Sequence, residues 1–596
     1  MIHTQGLTKL TVLFLLGALP LALAHGHESH DGEMEGMGAP KTAHLVSSDS
    51  MSAAAMNSSS AAPQSYFTYP NYGGLMLAHI VLMTIAWFFI LPISVMLSVA
   101  RSRISLVTQL AFLGFHSFGL LLGTIYSGKT PDLYENNVHS KTGWIVTWII
   151  VAQCVIGLVK LAASIGKPQE ASAEEQTSFL PISTEALAQH RATRYQDAYR
   201  YSQDSGHFTA SEPSRSQSIS SMQEQNEEEE RKLHEYDDAH ADAEADHTEK
   251  QGLLGNAKVQ RAATRITAVL SKRAMRVLHL MYDATECISL LLGFAAIVSG
   301  AVVYGGVFRG NSIFNGLAHT VKGGIFFWYG LLTLGRWMGC FAEMGWAWNV
   351  KPPIGVISSH KARIPSAEFV ESFVIFLYGA SNMWLEHLAA WGNAWSAQDF
   401  EHVSISIMFF GGGLCGMLVE SKRIREFLNT SILTSAAHGS QSTGEHLNPP
   451  KTYPFSMNPF PGLIILLLGL MMSSHHQASM VSTMVHKQWG TLFVGFALAR
   501  AVTYILTYLA PPSSYLPSRP PSELISSFCL ISGGLIFMAS NKDTVGAMEY
   551  HNLHAMFPFT VTMGFTSFLM AWTIIVLAVK GWAVRRQISS PARSSA

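Results

Sequence analysis

Histidine stands once in each of three consecutive apolar stretches of this chain. They are Ala78-His79-Ile80-Val81-Leu82-Met83, Phe115-His116-Ser117-Phe118-Gly119 and Val138-His139-Ser140-Lys141-Thr142-Gly143. An ionisable side chain inside a bilayer is costly and rarely idle, so one imidazole per stretch calls for a chemical reason. A neutral imidazole is a natural axial ligand for haem iron. Depth selects the partners. With the N-terminus outside, His79 lies 22 residues before the inner-loop Arg101, and His139 lies 21 before Lys160. Both then sit near the outer face, on stretches running in the same direction. A pair of axial ligands requires that matched placement, and two boundary histidines reaching water would also show it.

A second set of ligand-type residues gathers at span ends on the same side: Glu386-His387, Glu401-His402, His475-His476, His486, and Glu549 with His551 and His554. Imidazoles and carboxylates on one face suit zinc or copper, and such ligands can come from several helices. The plainer explanation is that both residue types favour an interface where they reach water. A third set opens the mature chain. If a signal peptide ends at Ala22-Leu23-Ala24, His25 carries the free amine and His27 stands third, a pattern that wraps square-planar Cu(II). Lys322, Arg336 and Arg500 fall in or near apolar runs. Snorkelling to the interface accounts for the two arginines. Lys322, three residues after His319, is expected to pair with Glu343, Glu371 or Glu286. No nucleophile–base constellation or phosphate loop stands out.

The elements that must position these residues are membrane spans. Of 596 residues, 48% are hydrophobic and only 13% charged, which fits a multi-span protein diluted by polar segments. A net charge of -1 gives no reason to expect nucleic acid as a partner, and the lipid bilayer is the expected one. The five cysteines (Cys154, Cys287, Cys340, Cys415 and Cys529) lie in apolar stretches and are expected to pack rather than to form a disulfide framework.

The organisation expected is a cleaved signal peptide over 1–24 and a disordered His/Ser-rich lumenal leader over 25–70. A three-span unit over 71–161 and a disordered cytosolic linker over 162–271, with Glu227-Glu228-Glu229-Glu230, follow. An eight-span domain over 272–582 and a cytosolic tail over 583–596 complete the chain. The spans are placed near 77–100, 109–126, 139–159, 277–304, 318–341, 369–388, 402–419, 462–475, 491–509, 525–539 and 557–579, most of them long enough for about 30 Å of hydrocarbon. Basic residues favour one orientation: Arg101, Lys160, Lys272, Lys351, Lys422 and Lys580 mark inner loops, while the outer loops keep few. The N-terminus is then lumenal or extracellular, the C-terminus cytosolic, and Asn57-Ser58-Ser59 a glycosylation acceptor. The fold class is an all-α polytopic transmembrane helix bundle of about eleven spans.

Two resemblances refine this reading. The three-histidine unit resembles the core of the cytochrome b561 family, di-haem proteins that carry electrons across membranes. From Ala268 onward the chain resembles the C-terminal domain of the fungal Ytp-one-like membrane proteins. That likeness runs through Phe314-Asn315-Gly316-Leu317-Ala318-His319, Lys322-Gly323-Gly324-Ile325-Phe326-Phe327, Leu334-Gly335-Arg336-Trp337 and Gly345-Trp346-Ala347-Trp348-Asn349. The b561 likeness implies a second, inner haem held by His116 and His279, from the second and fourth spans of the core. The long insertion before His279 departs from that family's pattern. The function expected is transmembrane electron transfer through haem b, with an unknown donor and an outer-face acceptor such as a metal ion. The alternative is a haem-free metal-binding or metal-transport protein using copper or zinc at the outer His/Glu cluster. The membrane is one of the secretory pathway: plasma membrane, vacuole or endoplasmic reticulum.

Overall fold

A computed structural model describes residues 65–165, 272–310, 312–389, 395, 397–438, 450, 452–475, 477 and 479–589. The expected signal peptide, the leader with His25, His27 and Asn57, and the linker up to residue 271 lie outside the described residues. The described chain is helical, with no strand among its residues beyond one isolated bridge between Ile354 and Ile357. It divides into two compact units, one of Val155–Tyr282 and the other of Ile2–Cys154 with Asp283–Ala596. In the smaller unit the Lys160 ammonium sits 3.8 Å from the centre of the Tyr282 ring.

A helix stands at each of the eleven expected spans. They are α1 (Gly73–Val99), α2 (Ser105–Lys129), α3 (Val138–Ile165), α4 (Lys272–Gly305), α5 (Ser312–Met338), α6 (Ala367–Ala389), α7 (Ala397–Glu420), α8 (Phe460–Ser474), α9 (Met480–Leu509), α10 (Ser522–Ala539) and α11 (Met556–Ser589). Among the described residues eight are long and apolar enough to cross a membrane: α1 to α4, α7, α9, α10 and α11. α8 is apolar but only 15 residues long. α5 and α6 fall below that standard, and they carry Arg336, Glu368 and Glu371.

Helices are the form such a chain must take, because each satisfies its own backbone where no water reaches. Exposed apolar side chains such as Leu498, Val502, Ile505 and Leu509 on α9 give lipid its surface. Close approach between helices depends on glycine. A Cβ at Gly323 of α5 would meet the Gly534 carbonyl of α10 at 2.5 Å, and one at Gly534 would meet the Gly323 carbonyl at 2.6 Å. Backbones this near exclude any larger residue. The larger unit's main core lies between α7, α8, α9 and α10. Trp489 stacks on Phe537 there at 4.3 Å between centroids, with Phe493 and Phe496 fully buried beside it. All five cysteines are free thiols.

α1 is not regular throughout. A π-helical turn over Ile85–Ile90 precedes Pro92. Proline has no N–H for the carbonyl four residues back, which is that of Phe88. The Trp572 indole N–H of α11 donates to Phe88 O at 3.0 Å instead. One residue thus sets the irregular turn, and another helix meets the carbonyl it leaves open.

Candidate functional site

Two constellations deserve a chemical account. The first joins α1 to α4. His79 Nδ1 lies 2.8 Å from the Gly119 carbonyl of α2 and can bond it only by donating. That fixes the tautomer and leaves Nε2 with its lone pair. His139 Nδ1 lies 3.0 Å from Ser299 Oγ of α4, whose own hydroxyl donates to Ala296 O at 3.0 Å. Ser299 Oγ therefore accepts from His139 Nδ1–H, and Nε2 is again the basic nitrogen. Such an anchored Nδ1–H orients imidazoles that ligate metals. Glycine flanks both rings: a Cβ at Gly123 would come within 2.8 Å of His79 Nδ1, and one at Gly300 within 3.1 Å of His139 Cε1. His79 lies within electrostatic reach of both His139 and His116.

His116 is arranged the other way round. Its Nε2 pairs at 2.9 Å with Thr147 Oγ1, which donates to Gly143 O, so Nε2–H is the donor. Its Nδ1 is buried with no hydrogen-bond partner among the described residues. The ring stacks on Phe112 at 5.8 Å and meets the edge of Trp87 at 5.4 Å. His279, named with it as an inner pair, is half-buried on the part of α4 that belongs to the smaller unit.

The expected outer metal residues are spread more widely. His486 is buried on α9, with Nδ1–H on Ser482 O at 2.8 Å. It faces His319 of α5, whose Nδ1–H donates to Asn315 O at 2.9 Å, with 6.1 Å between ring centroids. His402 and His475 are half-buried, and His551 and His554 are exposed. The side chains of His387 and His476 lie outside the described residues, as do His25 and His27. Among the described residues no three His, Cys, Asp or Glu side chains gather closely enough to hold a metal.

The second constellation was not anticipated, and it corrects the reading of the two arginines. Arg336 and Arg500 do not snorkel: each is 1% exposed. Arg336 Nη1 donates to Glu371 Oε1 at 2.6 Å, its Nη2 to Glu368 Oε1 at 2.8 Å and its Nε to the Trp346 carbonyl at 2.7 Å. Arg500 Nη1 reaches Glu371 Oε2 at 3.3 Å. Arg500 Nε lies 2.7 Å from Glu523 Oε1, close enough for an ion pair but off the line of a hydrogen bond. The carboxylates offered to Lys322 have other neighbours. Glu371 lies between the arginines, Glu343 is ion-paired with Lys361, and Glu286 accepts from Gln109 at 3.4 Å.

The loop after α5 closes over this network, and it holds the Gly345-Trp346-Ala347-Trp348-Asn349 motif. Asn349 staples it: Nδ2 donates to Ala342 O at 2.9 Å and Tyr515 O at 2.8 Å, while Oδ1 accepts from the Ala347 N–H at 3.1 Å. Gly345 turns the chain at φ 75°, and Trp348 takes a left-handed φ of 50°, uncommon for a bulky residue. The Trp348 ring is thereby laid 4.4 Å from the Arg336 guanidinium carbon. Further along, Lys351 Nζ donates to Ile364 O at 2.6 Å, and burial, then nearby Lys422, lower the basicity of its amine.

A sequence signal for this network did exist. Glu368 and Glu371 stand three apart, on one helical face, at the start of an apolar run, and Glu523 begins another.

Comparison with known proteins places these elements in a family. A profile described as Protein YTP1-like, C-terminal matches residues 292–581, and one described as a domain of unknown function matches 60–163. An uncharacterised membrane protein of Schizosaccharomyces pombe is 33% identical over 538 residues, covering 87% of this chain and 97% of its own length. An uncharacterised membrane protein of Saccharomyces cerevisiae is 38% identical over 57% of this chain and 52% of its own. Protein YTP1 of Saccharomyces cerevisiae is 22% identical over 49% and 52% respectively. No solved structure matches the chain.

Proposed function

The chain belongs to the YTP1-like family of membrane proteins, and for it we propose transmembrane electron transfer through a b-type haem ligated by His79 and His139. The observation that carries this reading is the shared anchoring of the two imidazoles. Each gives its Nδ1–H to an acceptor on a neighbouring helix, and each keeps Nε2 for a metal. Bound there, the haem would supply one-electron chemistry. The residues do the rest: Gly119 O and Ser299 Oγ hold the ring planes, and Gly123 and Gly300 keep the rings' flanks clear. The His116 ring is packed against Phe112 and Trp87, and its expected partner His279 lies in the smaller unit, so the proposal is for the one haem at the His79/His139 site.

In this reading α1 begins on the outer side, residues 162–271 face the cytosol, and electrons leave toward an outer acceptor such as a metal ion. The test is the optical spectrum of the purified full-length protein. A low-spin b-type spectrum is expected, with loss of that component in His79→Ala and in His139→Ala and retention in His116→Ala. A parent protein without haem, or an unchanged spectrum in a normally produced His79→Ala protein, would sink the idea.

One observation favours a second reading, a haem-free metal protein. The His319 and His486 rings meet edge to face with both Nδ1 atoms tied to backbone, leaving an Nε2 lone pair on each of two helices. Zinc or copper that copurifies with the parent but not with His486→Ala, in the absence of haem, would select it.

A further inference from the structure

The buried network of the YTP1-like domain has an odd charge count. Two guanidiniums, Arg336 and Arg500, face three carboxylates, Glu368, Glu371 and Glu523. All five are buried: the arginines are 1% exposed, Glu523 0%, Glu368 5% and Glu371 7%. Guanidinium does not lose its proton in proteins, so full ionisation would leave one uncompensated negative charge away from water. An isolated buried charge costs several kcal/mol even after relaxation, in order-of-magnitude terms. A proton on the carboxylates removes it.

A second observation points to the same ligand. Arg500 Nη2, both Glu523 oxygens, Tyr504 Oη and Ser526 Oγ are buried with no hydrogen-bond partner among the described residues. Unsatisfied groups of this kind mark a place where water enters or a proton is held. A metal cation fits the spot poorly, because two guanidiniums repel it and several of the open groups are donors. A proton needs no coordination shell.

We propose that this network is a proton-exchange site, which binds and releases one proton shared among Glu368, Glu371 and Glu523. Among the described residues, the titratable groups facing it are Tyr329 and Arg336 from α5, Glu368 and Glu371 from α6, Arg500 and Tyr504 from α9, Glu523 from α10, and Glu420 from α7. Arg336, Glu368, Glu371 and Glu523 all stand at helix ends on one side of the bundle, under the Trp348 loop. Glu420 is half-buried within electrostatic reach of Glu368 and accepts from Ser366 and Ser456 at 2.6 Å each. Protonation adds the proton to one carboxylate oxygen, and release returns it to water, with no other bond changed. The site stands whether or not a haem is bound elsewhere.

Infrared difference spectroscopy of the detergent-purified full chain, in H2O and in D2O, tests this. The parent is expected to show the C=O stretch of a protonated carboxylic acid, shifted in D2O and titrating as one proton. Removing any one carboxylate restores a balance of two positive and two negative groups. Glu368→Gln, Glu371→Gln and Glu523→Gln should therefore each abolish the band, while Glu343→Gln, outside the network, should keep it. No such band in the parent, or its persistence in a folded member of the three, overturns the proposal. Failure of all three to fold also overturns it, since a network relieved of its excess charge should be no less stable than the parent.

Discussion

At the scale of single residues, Arg336 shows what burial does to a charge. Its guanidinium makes three hydrogen bonds, one from each nitrogen, and lies under an indole, so all three nitrogens serve to hold it in position. Replacing it with leucine leaves Glu368 without its ion-pair partner and Glu371 with Arg500 alone. We expect Arg336→Leu to cost about 3–5 kcal/mol, as breaking a buried pair does, read as a lowered midpoint of thermal unfolding in detergent. Loss of less than about a quarter of that would mean water reaches the network freely. Gly123 is the counterpart beside the proposed haem ligand His79. A Cβ there would press on His79 Nδ1, so Gly123→Val should turn the ring off the Gly119 carbonyl. In a haem-loaded protein the expected readout is a change in the low-spin electron paramagnetic resonance signal with haem still bound. An unaltered signal would show that Gly123 does not set the ring.

At the scale of elements, α1 and α11 are joined through an irregularity that one proline creates. Trp572→Phe removes the donor to Phe88 O and is expected to destabilise by about 1 kcal/mol, the order found for hydrogen bonds between membrane helices. Pro92→Ala restores the N–H that Phe88 O lacks, so the same Trp572→Phe change should cost less in the Pro92→Ala background. Equal costs in the two backgrounds, measured by a double-mutant cycle, would show that the indole and the proline are unrelated. α5 and α10 are held differently, by backbones that touch at Gly323 and Gly534. Gly323→Leu should separate them at a cost of about 1–3 kcal/mol or more, and a stable, normally melting variant would contradict the close approach.

At the scale of the whole molecule the prediction concerns orientation. If the positive-inside reading holds, the linker over 162–271 faces the cytosol and Asn57 the lumen or the outside. Protease added to sealed vesicles of secretory-membrane origin, cytosolic side out, should cut the linker while Asn57 carries an endoglycosidase-sensitive glycan. A linker cut only after the vesicles are opened would reverse the assignment. Reversal would also exchange the sides of the two constellations, placing the proton-exchange network toward the outside and His79 with His139 toward the cytosol.

What the amino-acid order determined by itself is what depends on neighbours along the chain. A span must satisfy its backbone within itself, so the expected spans announced their helices, and a helix lies over each of the eleven. His79 and His139 share an expected depth because depth in a bilayer is counted in residues from a charged end, whereas the anchoring of their Nδ1 atoms came only with the packing of neighbouring helices. The same local logic misplaced Arg336 and Arg500, since a cation near a span end reads as snorkelling unless its partner is known. Those partners are remote: Glu371 lies 35 residues from Arg336 and 129 from Arg500. His116 likewise pairs its Nε2 with Thr147, 31 residues away, a contact that only the packing of α2 on α3 supplies. Charge pairing and tautomer choice are settled by which helices touch, and the glycine contacts that decide this, Gly323 on Gly534 among them, join residues far apart in the chain.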